Sequence, residues 1–234
     1  MQVVDRYGIV HGVDRIQING PDGRQKPSSI NYGLFAQTAK SVPITNTTQA
    51  QSLIYVNFER RVDQDGGVTE SLSCMDPSLR YYGSVGSLFV PANSFRVGDS
   101  FHVNLSGYVS CLNNQSMAIR IQSNGGVVFF PELTSTLAIA ALTLAATTNK
   151  FFDIVITFTI RAIGARGVAK IATSGQFTYS KDASNAFEGT DFIFINDNTF
   201  DTTIDNTLDI TAQWANASTS NSIHSEIFTL NKIF

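Results

Sequence analysis

The chain has 234 residues, 43% of them hydrophobic and only 15% charged, with a net charge of −3. That is enough apolar material for a core, and the abundance of Thr, Ser, Asn and Gly marks a β-rich chain rather than a helical or disordered one. Between residues 168 and 234 three lysines and no arginine stand against eight acidic residues, which argues against a nucleic-acid surface.

Residues 1–29 are interrupted by Gly and Pro, with a turn signal at residues 20–27 (GPDGRQKP). They are expected to form an N-terminal arm or anchor, or else a disordered leader. The first fifteen residues lack the apolar stretch of a signal peptide, so a soluble chain made in the cytoplasm is expected. Residues 30–234 are expected to be a single β-sandwich domain. Residues 32–39 (YGLFAQTA) read as its first strand, and residues 52–58 as a second candidate. Residues 59–82 are more charged and carry Asp63-Gln64-Asp65-Gly66-Gly67, a hairpin-turn signal. They read as an insertion forming a projecting hairpin or loop.

Residues 85–91 read as a short strand stopped by Pro91. Over Ser100–Cys111 alternation is clean: Phe101, Val103, Leu105, Gly107, Val109 and Cys111 share one face, His102, Asn104, Ser106, Tyr108 and Ser110 the other. Asn113-Asn114 turns the chain into residues 117–123, where Met117, Ile119 and Ile121 point inward. Asn124-Gly125-Gly126 turns it again into residues 127–130. Residues 133–146 stay open, since Leu and Ala suit a helix and Thr a strand. Residues 152–162 alternate once more, with Phe152, Ile154, Ile156, Phe158 and Ile160 inward. Gly164-Ala165-Arg166-Gly167 forms a hairpin loop into residues 168–179, with Gly175 expected as a bulge. Residues 181–189 read as a polar loop.

From Phe200 to Trp214 the even positions are mostly apolar and the odd ones all polar. This is half-buried antiparallel strand, with a turn or bulge near Asp205-Asn206. It places Trp214 in the core and Asp201, Asp205 and Asp209 on the solvent side. Residues 222–234 form the last strand. About nine or ten strands at roughly ten-residue spacing imply an all-β, antiparallel two-sheet sandwich of jelly-roll or tumour-necrosis-factor-like type.

Chemical motifs are scarce. His11, His102 and His224 have no metal-ligand spacing around them, and no GxSxG, P-loop or GxGxxG occurs. An EF-hand counted from Asp63 fails, because position 6 is Val68 and position 12 is Cys74. Asp197, Asp201, Asp205 and Asp209 recur every four residues, but in a strand Asp201 and Asp209 would lie about 27 Å apart at about 3.4 Å per residue. They read as a solvated face that discourages edge-to-edge pairing. Asp191 and Glu188 are a candidate carboxylate pair in an ordinary loop. Tyr81, Tyr82 and Tyr108 are of a type that stacks on sugars, although packing is the commoner role. Cys74 and Cys111 either pair or stand as two buried free thiols. No catalytic, cofactor-binding or metal-ligating residue is assigned.

Five segments carry a resemblance: YGLFAQTA with SVPITNTT, VGSLFVPANSFRVGDSF, FFDIVITFTIRAIG, NTFDTTIDNTLDITAQW and SNSIHSEIFTLNKIF. In this order they resemble virion structural proteins of large DNA viruses and tailed phages, which are β-rich capsid, fibre or decoration proteins of jelly-roll or tumour-necrosis-factor-like shape. The resemblance covers residues 32–48 and 85–234. It implies a non-catalytic, capsid-associated component (minor capsid, decoration or fibre), made in the host cytoplasm and located in the virion. It also implies self-assembly, with a homotrimer favoured, and contacts with other capsid or tail proteins. Neither nucleic acid nor membrane is an expected partner. The alternative is a viral fibre head on the same scaffold that binds a host-surface glycan or receptor.

Overall fold

A computed structural model describes residues 32–54, 84–86, 88–125 and 134–233. It also describes three short two-stranded pairings: Val3–Val4 with Val10–His11, Gln17–Asn19 with Gln25–Pro27, and Arg61–Val62 with Val68–Thr69. The last of these flanks the expected hairpin turn at Asp63–Gly67. That turn, like most of residues 1–29 and 59–82, lies outside the described residues.

Among the described residues thirteen strands build the sandwich: β1 (Tyr32–Gln37), β2 (Ile44–Thr45), β3 (Gln51–Ser52), β4 (Ser84–Gly86), β5 (Phe89–Val90), β6 (Ser100–Cys111), β7 (Gln115–Gly125), β8 (Thr134–Leu144), β9 (Thr147–Ala162), β10 (Lys170–Ser180), β11 (Phe187–Asn196), β12 (Asn206–Trp214) and β13 (Ser222–Lys232). Sheet I runs β4-β1-β13-β6-β9-β10-β11, with β2 also on β13. Sheet II runs β5-β12-β7-β8, with β3 also on β12. All pairings are antiparallel. The first long strand lies beside the last, and β5 beside the second-last, which is the double Greek-key winding of a jelly roll. The β10–β11 hairpin extends sheet I beyond that core. Eleven strands lie along the two sheet paths, one more than the upper expectation.

The alternation of β6, β7 and β9 translates directly into burial. Phe101, Val103, Leu105, Val109, Cys111, Met117, Ile119, Ile121, Phe152, Ile154, Ile156, Phe158 and Ile160 all enter one core. Trp214 is fully buried, and its indole Nε1–H donates to the Ile44 carbonyl at 3.1 Å. That bond ties β12 of sheet II to β2 on sheet I. Of residues 133–146, open between helix and strand, Thr134–Leu144 form β8, because β7 offers them a ladder from Gln115↔Leu144 to Asn124↔Thr134 with one irregularity after Ile121.

Several expectations are corrected. Residues 85–91 are not one strand: β4 pairs in sheet I and β5 in sheet II, so the chain changes sheets between them. The expected turn does not begin at Asn124, since β7 continues through Gly125; residues 126–133 lie outside the described set. Residues 181–189 are only partly a loop, because β11 starts at Phe187. Gly175 makes no bulge: Ile156↔Gly175↔Phe192 keeps regular register. Its missing side chain is still needed, because a Cβ there would meet the Phe192 ring and, at 2.7 Å, the Val155 carbonyl oxygen.

The largest correction concerns residues 200–205, expected as strand up to a turn or bulge near Asp205-Asn206; the loop in fact runs from residue 197 to 205. It is held by short polar side chains. The Asn196 amide oxygen accepts the backbone N–H groups of Asn198, Thr199 and Phe200, and the Asn206 amide donates to the carbonyls of Asp201 and Ile204. Phe200 and Thr202 are buried as expected, whereas Ile204 is half-exposed. On β12 itself, Thr211, expected on the solvent side, is buried, and it pairs with Ser52 of β3.

Candidate functional site

Three regions hold the residues with chemical character: the aspartate loop, one end of the sandwich, and the outer face of sheet I. The four aspartates act locally. The Asp201 carboxylate accepts from the Thr203 N–H and hydroxyl and from the Arg166 N–H. Asp205 accepts the Ala92 N–H at 2.8 Å, and Asp197 lies 4.0 Å from the Lys170 ammonium. Asp209 accepts the Ser52 hydroxyl at 2.7 Å; burial pushes its carboxyl above the ordinary carboxylate range, while that bond and the Ile210 N–H pull it down. The expectation of a simply solvated acidic face is therefore corrected: these carboxylates cap turns and pair segments. Among the described residues no three His, Cys, Asp or Glu side chains converge as a metal site.

Asp191 and Glu188 do not form a pair. They are three residues apart on β11, and side chains alternate along a strand, so they leave opposite faces. Glu188 lies opposite inward-facing Tyr179 and accepts its hydroxyl at 3.1 Å. The same hydroxyl accepts the Ala145 N–H, and burial raises its pKa. Cys111 is a buried free thiol whose pKa burial pushes up to about 11. Cys74, Tyr81 and Tyr82 lie outside the described residues.

Where β6 begins and β13 ends, the two sheets part around a cavity of about 290 Å³. Its walls are apolar, with Phe95, Phe101, Leu137, Phe158, Phe200 and Leu230 among them. Four of its polar residues are engaged with one another: Lys232 Nζ lies 2.9 Å from the buried Asp99 carboxylate, and the Ser123 hydroxyl donates to Asn206 at 2.6 Å. The cavity can accommodate an apolar group, and these two polar pairs serve the fold.

The outer face of sheet I differs from the inner one in being mixed. Tyr108 lies between Phe151 on β9 and His224 on β13. Its ring is 6.0 Å from the imidazole, whose Nε2 sits 3.0 Å from a Glu226 carboxylate oxygen. In the next row Ile227, Ser106 and Asp153 align, with the Ser106 hydroxyl donating to Asp153 at 2.6 Å. Tyr108, Phe151 and Ile227 are 40%, 46% and 56% exposed. Ile227 reaches this face because a bulge opposite Ser106-Gly107 shifts the phase of β13. Gly107 permits that bulge, since a Cβ there would collide with the His224 carbonyl oxygen and lie 2.7 Å from Ser225 Cα. His102, also on this face, has its Nδ1 3.4 Å from the Thr157 hydroxyl.

Of the residues considered from sequence, this face collects Tyr108, His102 and His224. Phe151 and Ile227 were not among them. The Phe151-Phe152 dipeptide did carry a signal, because alternation forces one of two adjacent aromatics outward. No family model matches the chain, and no curated protein matches it either.

Proposed function

We propose that this chain is a non-catalytic structural component of a virus particle, capsid-associated as a minor capsid, decoration or fibre protein, that works as a homo-oligomer, with a trimer favoured. The observation that carries the self-assembly is the row Tyr108–Phe151 with Ile227 beside it, three large apolar side chains exposed together on the broad face of sheet I. Contiguous patches of this kind mark surfaces that another protein covers. The jelly-roll winding supports the same reading, because a sandwich offers flat faces and edges for closed symmetric packing. The virion assignment itself rests on the resemblance of the five segments. Other capsid or tail proteins are the further partners it implies.

Light scattering coupled to gel filtration tests the assembly. The wild type should run as an oligomer, and Phe151→Lys combined with Ile227→Lys should run as a monomer with unchanged far-UV circular dichroism. Both positions are exposed, so neither change buries a charge. A wild-type monomer, or a variant that stays oligomeric, would overturn the assignment of this face. Recovery of peptides of this chain from purified particles tests the virion location.

A second reading, a glycan- or receptor-binding fibre head, is favoured by one feature: the exposed Tyr108 ring beside His224, an aromatic face of the type that stacks on sugars. Trp214, fully buried, takes no part in such a face. Glycan-array binding abolished by Tyr108→Ala would support this reading over the first.

A further inference from the structure

We propose that β11 pairs antiparallel with β11 of a second copy about a two-fold axis centred on Ile193. This contact is separate from the sheet I face and does not depend on the virion assignment. β11 is the outermost strand of sheet I and pairs with β10 along its whole length, from Ser180↔Phe187 to Ile171↔Asn196. Among the described residues no strand pairs with its other side. It is ten residues long, while the strand at the opposite edge of sheet I, β4, has three. Its centre reads Phe192-Ile193-Phe194-Ile195, with Ile193 77%, Phe194 40% and Ile195 48% exposed. Lysine, proline and bulges, the usual protections of an edge strand, are all missing from this stretch. An exposed ladder edge of this apolar character is a pairing template.

The charges on the strand select the occupant and its register. A two-fold axis perpendicular to the sheet keeps inner faces inner, so each residue opposes one of the same parity and the axis must pass through a residue. Centred on Phe194, the pairing would set Asp191 against Asp197 of the second copy, and like charges directly opposite are destabilising. With the axis at Phe192, Ile195 would meet only Gly189. At Ile193, Phe192 meets Phe194, Ile193 meets itself and Asp191 meets Ile195. The two Asp191 carboxylates then lie four residues apart along the strands, about 14 Å at about 3.4 Å per residue. That exceeds the Debye length of about 8 Å at physiological ionic strength. The Ile193-centred register thus matches the apolar residues of the strand and sets no two acidic residues directly opposite each other. The pairing joins the sheet I paths of two molecules into one continuous sheet. A single strand pair buries less than the ~1,200 Å² of the smaller stable interfaces, so it links copies weakly and is suited to joining assemblies held together elsewhere.

Cysteine cross-linking in the full chain tests this. At the axis, Ile193 and its symmetry mate have Cα atoms about 4.5–5.5 Å apart, within disulfide reach. The two Ile195 positions are about 14 Å apart by the same strand rise. On mild oxidation Ile193→Cys should give a disulfide-linked dimer on a non-reducing gel, and Ile195→Cys and the wild type, with its native Cys74 and Cys111, should not. Because Ile193 is largely exposed, the substitution leaves the fold intact, which circular dichroism verifies. Ile193→Lys, which sets a charge against itself, should reduce the association seen by light scattering at high concentration. No dimer from Ile193→Cys, or equal dimer from both variants, would overturn the proposal even if the oligomer on the sheet I face is found.

Discussion

Trp214→Phe probes the link that closes the sandwich. The indole is fully buried and is the only tryptophan in the chain. Its N–H reaches across from β12 to the carbonyl of Ile44, which is itself paired with Ile223 in sheet I. Phenylalanine keeps the apolar contact but loses one buried hydrogen bond, a net contribution of about 1 kcal/mol. It also leaves a void the size of the missing ring, which costs about 1–2 kcal/mol more when the surroundings relax only partly. The expected loss is about 2–3 kcal/mol, or roughly 4–12 °C in Tm for a chain of this size. Because the variant lacks tryptophan, far-UV circular dichroism in urea is the assay, with a lower midpoint and an unchanged m value expected. A variant within about 0.5 kcal/mol of wild type, the range of ordinary surface changes, would refute the link between the sheets. So would wild-type indole fluorescence readily quenched from solvent.

Two further outcomes follow from particular contacts. Gly107→Ala sets a methyl group against the His224 carbonyl and Ser225 Cα, where only backbone can yield; a loss of more than about 2 kcal/mol is expected in the same unfolding assay, and a near-neutral result would remove the bulge as a rigid feature. Asp209 holds its proton more tightly folded than unfolded, because burial raises its carboxyl. Its contribution to stability therefore falls as pH rises from the ordinary carboxylate value through the raised one, and recovers on acidification. Asp209→Asn keeps an oxygen for the Ser52 hydroxyl, so it should raise the unfolding midpoint at neutral pH and flatten its pH dependence; a less stable variant at neutral pH would contradict this.

Much of the fold was legible because a strand with one buried face must alternate. Over β6 and β9 every inward position read from the pattern is in the core, since burial on one face and solvent on the other leaves no second phase. The pattern failed where polar side chains bond to the chain itself. Residues 200–205 keep an alternating sequence, yet Asn196 and Asn206 draw the backbone around them into a loop, and period alone does not reveal which partner a backbone amide finds. Nor does it reveal sheet membership, so β4 and β5 were read as one strand.

The candidate site was less legible. Tyr108 and His224 could be placed on polar faces one strand at a time, but their contact depends on β13 pairing with β6 more than a hundred residues away in sequence. Ile227 joins them only through a bulge that shifts its phase, and the apolar edge of β11 matters only because no strand among the described residues pairs with it. Sequence alone determined the two-sheet β architecture, the inward faces of its long strands and the burial of Trp214, because these follow from local periodicity and the removal of apolar surface from water. Strand order, the bulge at Gly107 and the open edge at Ile193 were decided by tertiary structure, because pairing between distant strands selects which of several equally alternating neighbours each one meets.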